Sequence, residues 1–293
     1  MYRRMTLHPP RNLDFEILVA IKIMKPWLNT FTLVAAIASL LVATNCDAQQ
    51  PQRKIYLIGN SLTWDTLPGL LDGNVSWHVD CGKNLKHIYD HPSKPCVRTS
   101  TPWNQALVSD QFDVLCVQPH FGTTLQQDVE IISKWLKMQK CSRLVIHTGW
   151  NRHKDLIRVY NQPVPDESES DKAHVMTHTP GYFTRLDRKI KHLHPELEIV
   201  STHAIEVLAS INDDIESATA PIEQISEIYR DDIHVTTQAG RFLMHNLMRV
   251  AVGQEVSDQG FQVERPLRKY LRTKIDFASK LRSSRLVAAN RNN

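Results

Sequence analysis

Apolar residues recur along the middle of the chain in two alternating rhythms. Nearly continuous apolar runs stand at 54–58, 112–118, 144–147 and 197–200, and residues 75–81 alternate. Short runs of this kind read as strands, and unbroken ones as strands buried on both faces. Between them lie longer stretches with apolar residues three and four apart. One covers 125–140 (Val129, Ile132, Trp135, Leu136, Met138) and one 183–193 (Leu186, Ile190, Leu193). A short one covers 222–228, and the longest runs over 236–252. These predict amphipathic helices. Strands alternating with helices predict an α/β fold, a three-layer α/β/α sandwich around a mostly parallel, five-stranded sheet. There is no internal repeat, and the polar, acidic stretch 161–174 reads as an exposed loop.

The two ends have a different texture. The strongest apolar run, 33–43, is about eleven residues long, short of the ~20 that a membrane span needs. Met24 and Lys25 precede it, and Cys46 and Ala48 put small residues at the −3 and −1 positions of a cut after Ala48. This pattern predicts a signal peptide over 24–48, an exported protein, and a non-native extension over 1–23. The competing reading is an N-terminal membrane anchor. The predicted domain then covers 49–255, and 256–293 forms a basic C-terminal helix and tail. There Arg265, Arg268, Lys269, Arg272 and Lys274 fall at helical spacings around a Leu267, Leu271, Ile275 stripe. Such a helix either packs by its stripe and is otherwise solvated, or touches an anionic polysaccharide or a membrane surface.

Composition narrows the function classes. With 42% apolar and 23% charged residues, the chain is neither disordered nor fibrous. Its net charge of +4 invites a nucleic-acid partner, but the charge is unevenly divided. Residues 1–48 hold 5 basic and 3 acidic groups and residues 256–293 hold 9 and 3, leaving 21 basic against 25 acidic in between. An acidic central domain argues against a nucleic-acid groove. Beyond Ala48 stand Cys81, Cys96, Cys116 and Cys141. Export permits disulfides; Cys81 with Cys96 is the expected pair and Cys116 reads as buried, although four cysteines allow three full pairings.

In a parallel sheet, ligands bind at the C-terminal ends of the strands. The polar residues expected there are Gly59, Asn60 and Ser61; Gly82, Lys83 and Asn84; Gln118, Pro119 and His120; and His147, Thr148 and Trp150. Asp231, Asp232 and His234 stand before the last long helix of the domain. A serine becomes a nucleophile when a base takes its proton and a third group orients that base. Asp231 and His234 are three apart, the spacing that brings side chains together on a helical turn.

The segment Ile58-Gly59-Asn60-Ser61-Leu62-Thr63 resembles the first block of the SGNH/GDSL hydrolases, with Asn60 in the place of their Asp. Asp231-Asp232-Ile233-His234, followed by Gly240, resembles their last block, and the resemblance covers about residues 53–253. It implies the flavodoxin-like SGNH fold and cofactor-free hydrolysis of an ester through an acyl-enzyme. The implied substrate is a small ester or an acylated glycan, an acetyl ester above all. Carried over by position, Ser61 is the nucleophile, His234 the general base and Asp231 its orienting partner. The Gly82 amide joins that of Ser61 in the oxyanion hole. The third block departs: Val117-Gln118-Pro119-His120 stands where the family has Gly-x-Asn-Asp, and the Gln118 amide either takes over the Asn's role as oxyanion donor or belongs to an ordinary rim residue. Asn60, His120 and His147 are expected to line the substrate pocket.

Three rival readings remain open at this level. His87 and His91, with Asp90 between them, and His174 and His178 are spaced as metal-binding pairs on helices. However, no Glu stands in the His-Glu-x-x-His position of a zinc hydrolase, and no metal is expected. The same fold can also serve a glycan-binding protein without catalysis, or an acyltransferase.

Overall fold

The first apolar run becomes β1 (Lys54–Gly59), and the chain turns at once into a short helix, α1 (Ser61–Asp65). The computed structural model describes residues 52–163 and 178–291. The predicted extension 1–23, the signal peptide 24–48, His174 and most of the acidic loop lie outside the described residues.

The chain continues through β2 (Asn74–Val79), α2 (Leu85–Asp90), α3 (Trp103–Ser109), β3 (Val114–Val117), α4 (Leu125–Lys137), β4 (Arg143–Ile146) and α5 (Leu156–Tyr160). After the undescribed segment come α6 (Pro180–Leu193), β5 (Glu198–Ser201), α7 (Ala204–Glu216), α8 (Ala239–Val252) and α9 (Arg265–Arg291). The sheet order is β2-β1-β3-β4-β5, and each neighbouring pair is parallel. The sheet is therefore wholly parallel.

The period of two along each strand sorts its side chains between two layers. Tyr56, Ile58, Leu115, Val117, Leu144 and Ile146 face one side, where Trp103, Leu125, Ile132, Trp135, Phe183 and Leu186 of α3, α4 and α6 cover them. Ile55, Leu57, Val114, Cys116 and Val145 face the other, against Met248, Ala251 and Val252 of α8. A further cluster joins α7, α8 and α9 through Ile205, Leu208, Phe242, Leu247, Leu271 and Ile275. The result is a three-layer α/β/α sandwich.

Several elements differ from the sequence pattern: the predicted helix 222–228 is a single 3-10 turn, Ile225–Ile228, and the short helices α2, α3 and α5 have no predicted counterpart. Two further differences have plain physical reasons. Helix α7 has no counterpart among the predicted helices. Ala204 to Ala209 are all buried, so its first half has no polar face from which a 3.6-residue stripe stands out. Helix α8 starts at Ala239 rather than at 236. Thr236 spends its N–H on the Ile228 carbonyl and its hydroxyl oxygen on the Gly240 N–H, which holds 236–238 as a turn.

Helix α9 packs by Leu271, Ile275 and Ala278. Part of its positive charge is paired within the chain. Arg268 and Arg272 meet Asp258 at 3.6 and 2.9 Å, and Lys274 meets Asp214 at 2.7 Å. Arg265, Lys269 and Lys280 are exposed, with Asp276 among them. Among the described residues, no helix is long and apolar enough to cross a membrane.

From β1 the chain moves outward to β2 and then returns to the other side of β1 for β3. This reversal opens a crevice at the C-terminal ends of β1 and β3, where Gly59-Asn60-Ser61 and Gln118 stand.

Candidate active site

At the end of β1, Asn60 caps α1: its Oδ1 accepts the Leu62 N–H at 2.9 Å, and Ser61 is the first helical residue. The turn admits no side chain at position 59. A Cβ there would lie 2.1 Å from Thr63 Oγ1 and 2.8 Å from Gln118 Cβ. Glycine is required by close approach.

Asp231 and His234 come together, though not on a helical turn. Tyr229 and Val235 form an isolated antiparallel bridge, and the Arg230 N–H donates to the His234 carbonyl at 2.9 Å. Within this tight loop, Asp231 Oδ1 accepts the N–H groups of Ile233 at 2.9 Å and His234 at 2.7 Å. His234 Nδ1 lies 2.9 Å from Asp231 Oδ2, and His234 Nε2 lies 3.0 Å from Ser61 Oγ. The carboxylate can only accept, so Nδ1 carries the proton and Nε2 accepts from the serine hydroxyl. Partial burial pushes the Asp231 carboxyl up. The bonds from the His234 and Ile233 amides and the His234 ring outweigh it and hold the group at about 2. Asp232 points elsewhere, to Lys154 at 3.1 Å.

The loop is held from three sides. Trp150 Nε1 donates to the Ile233 carbonyl at 2.6 Å, and the His153 N–H donates to the Asp232 carbonyl at 3.0 Å. Gly240 of α8 lies so close beneath that a Cβ would sit 2.5 Å from the Ile228 carbonyl oxygen and 2.5 Å from Val235 Cβ. The third support is Asp65, at the end of α1. Its carboxylate is wholly buried and meets Arg230 at 3.0 Å and Arg241 at 2.9 Å, while Oδ2 accepts the Val235 N–H at 3.3 Å. Asp65 thus bolts the Ser61 helix to the His234 loop and to α8. Sequence reasoning missed Asp65, Arg230 and Arg241. The one available signal was an acidic residue one helical turn after Ser61.

Gly82 sits in a turn bound to the same place. The Asp80 N–H donates to the Gly59 carbonyl at 2.9 Å, and Asn60 Nδ2 donates to the Lys83 carbonyl at 3.3 Å. Cys81 and Cys96 form a disulfide beside it. Among the described residues, neither the Ser61 N–H nor the Gly82 N–H donates a hydrogen bond.

Gln118 is wholly buried and turns its side-chain oxygen to the residues that flank Ser61. Oε1 accepts the Asn60 N–H at 3.1 Å, the Thr63 N–H at 3.1 Å and the Thr63 hydroxyl at 2.8 Å. The two backbone donors settle which end of the amide is oxygen. Its Nε2 is buried without a partner.

His147 is buried behind the turn, its Nδ1 3.0 Å from Thr202 Oγ1 and its ring against the Leu62 backbone. His120 Nδ1 lies 3.4 Å from His178 Nε2. Burial holds both His120 and His147 down at about 4, so both are neutral imidazoles at ordinary pH. His120 remains partly exposed at the rim, whereas His147 is closed off from a ligand. His87 and His91 stack face to face at 4.2 Å. Ring lone pairs lie in the ring planes, so stacked imidazoles do not converge on one ion, and His178 is buried against His120 and Phe121.

No family model and no curated protein matches the chain. Among solved structures, it is similar to a DUF4886 family protein from Bacteroides uniformis ATCC 8492. Identity is 13%, the match covers 77% of this chain and 94% of that one, and the TM-score is 0.46.

Proposed function

We propose that the chain is an exported serine hydrolase of SGNH/GDSL type that cleaves an ester through Ser61, His234 and Asp231. One observation carries the reading: Ser61 Oγ, His234 and Asp231 are linked at 3.0 and 2.9 Å, within the range of a working nucleophile, base and orienter. His234 Nε2 takes the Ser61 proton as Oγ attacks the ester carbonyl. The oxyanion that forms lies at the start of α1, where the unengaged amides of Ser61 and Gly82 supply donors. The tetrahedral intermediate collapses, His234 returns the proton to the leaving alcohol, and an acyl-Ser61 remains. A water, deprotonated by His234, releases the acid and restores the serine. Asp231 stays ionised and stabilises the imidazolium that forms in both halves.

A small acyl ester, such as an acetyl group on a glycan, is the proposed substrate, and a site outside the cytoplasm the proposed location. The test is covalent labelling of the full chain by a fluorophosphonate. Wild type is expected to label at Ser61 and Ser61→Ala not at all. Labelling that survives Ser61→Ala, or none in wild type, overturns the reading. Short-chain esters and acetylated glycans then serve as the substrate screen.

A further inference from the structure

We propose that Gln118 is a positioning residue, and that its side-chain oxygen reserves the Ser61 N–H for the oxyanion by occupying the competing donors around it. The inference rests on the reading of Ser61 as nucleophile.

A helix start leaves its first N–H groups without intrahelical partners. In α1 these belong to Ser61, Leu62 and Thr63, since the Trp64 N–H already reaches the Asn60 carbonyl at 3.2 Å. Asn60 Oδ1 takes the Leu62 N–H. Gln118 Oε1 takes the Thr63 N–H, together with the Thr63 hydroxyl and the Asn60 N–H. Ser61 N–H alone is left over, and it belongs to the nucleophile itself. The clamp also spans the serine: its donors lie one residue before Ser61 and two after. Its anchor is rigid, because the Gln118 N–H donates to the Ile58 carbonyl at 2.9 Å and joins the ends of β3 and β1.

The same geometry takes Gln118 out of the oxyanion hole. An amide is planar, with oxygen and nitrogen on opposite corners. With Oε1 turned to the helix start, Nε2 faces away from those donors into buried surroundings that offer it no partner. A glutamate would accept the same three bonds, but its charge would oppose an oxyanion next door. Glutamine is the neutral acceptor of that shape.

The experiment compares Gln118→Glu, which keeps an acceptor oxygen in either protonation state, with Gln118→Leu, which keeps only bulk. Two readouts are taken on the full chain: amide hydrogen exchange at Asn60 and Thr63 by NMR, and fluorophosphonate labelling of Ser61. In Gln118→Leu, exchange at both amides is expected to rise at least about tenfold and labelling to slow at least about a hundredfold. In Gln118→Glu, exchange stays within about threefold of wild type, and at about pH 5 labelling stays within about tenfold. Unchanged exchange in Gln118→Leu overturns the inference. So does equal loss of labelling in both variants, which assigns the work to the Nε2 donor. If Gln118→Leu does not fold, Gln118→Met, which is close in length and flexibility and lacks the acceptor oxygen, takes its place. Faster exchange at Thr63 and Asn60 is then expected, and no change overturns the clamp. A wild type that fails to label overturns the nucleophile reading, while the exchange data still decide the clamp.

Discussion

The carboxylate of Asp65 lies 2.9 Å from the guanidinium of Arg241, 176 residues further along the chain. Arg230 reaches the same oxygen at 3.0 Å, and its own Nε stands 4.0 Å from Asp231. A wholly buried carboxylate is tolerable only when paired, and this one is paired by two cations from two elements. Asp65→Ala is expected to cost about 3–5 kcal/mol in urea unfolding, because two partly buried guanidiniums lose their partner. Since Asp65 ties α1 to the His234 loop, labelling of Ser61 should fall with it, even at temperatures where the variant is fully folded. A loss below about 1 kcal/mol would mean that the arginines simply turn to water.

Asp231 is held at about 2 and is ionised across any working pH. An ester-cleavage profile is therefore expected to carry no limb from Asp231, and His234→Ala is expected to abolish cleavage. Asp231→Asn should keep the fold yet lower kcat by up to about 10⁴, since an amide fails to hold the Nδ1–H tautomer. Cleavage that persists near the wild-type rate in His234→Ala removes the base from His234.

Stability should fall as pH drops from about 6.5 to about 4. Burial holds His78, His120 and His147 at about 4, so in this window the unfolded chain binds protons that the folded chain refuses. The stability is fully present above the unfolded value and lost by the folded one, on the order of 3 kcal/mol per histidine. Asp128 works in the opposite sense. Burial raises it to about 7, so the folded chain holds its proton and gains as pH falls. Three histidines outweigh one carboxyl. Urea midpoints at several pH values read the slope, which should steepen in Asp128→Asn; stability that is flat or rising on acidification contradicts the account.

The Cys81–Cys96 disulfide closes a loop of separation 15 and is exposed next to Gly82. Replacing both cysteines with Ser is expected to cost about 3 kcal/mol through the freed unfolded chain. The looser Gly82 turn should also slow labelling of Ser61. A variant with lowered thermal midpoint and unchanged labelling would detach the disulfide from the site.

The strands and the long helices were legible because a buried parallel sheet demands unbroken apolar runs and its covering helices an apolar stripe. Ser61, Asp231 and His234 were legible as candidates because Ser61 follows a strand end and Asp231 and His234 stand three apart in a short motif. Helix α7 was not, since burial on all sides erases periodicity. Nor was the neutrality of His147, which depends on what packs around it. Gln118 was legible as a site residue, while the direction of its amide was not.

The sequence by itself determined the five strands, most of the long helices and the turn that carries Ser61, because hydrophobic period and turn chemistry are local. Tertiary structure alone decided how those residues meet. Ser61 and His234 are 173 residues apart in the chain and 3.0 Å apart in space. That distance is set by a buried aspartate bridging two arginines, a glycine that lets α8 lie against the loop, and a glutamine oxygen holding the Ser61 turn. The aspartate and glutamine contacts join segments far apart in sequence, and no local pattern encodes which distant donor an acceptor will meet.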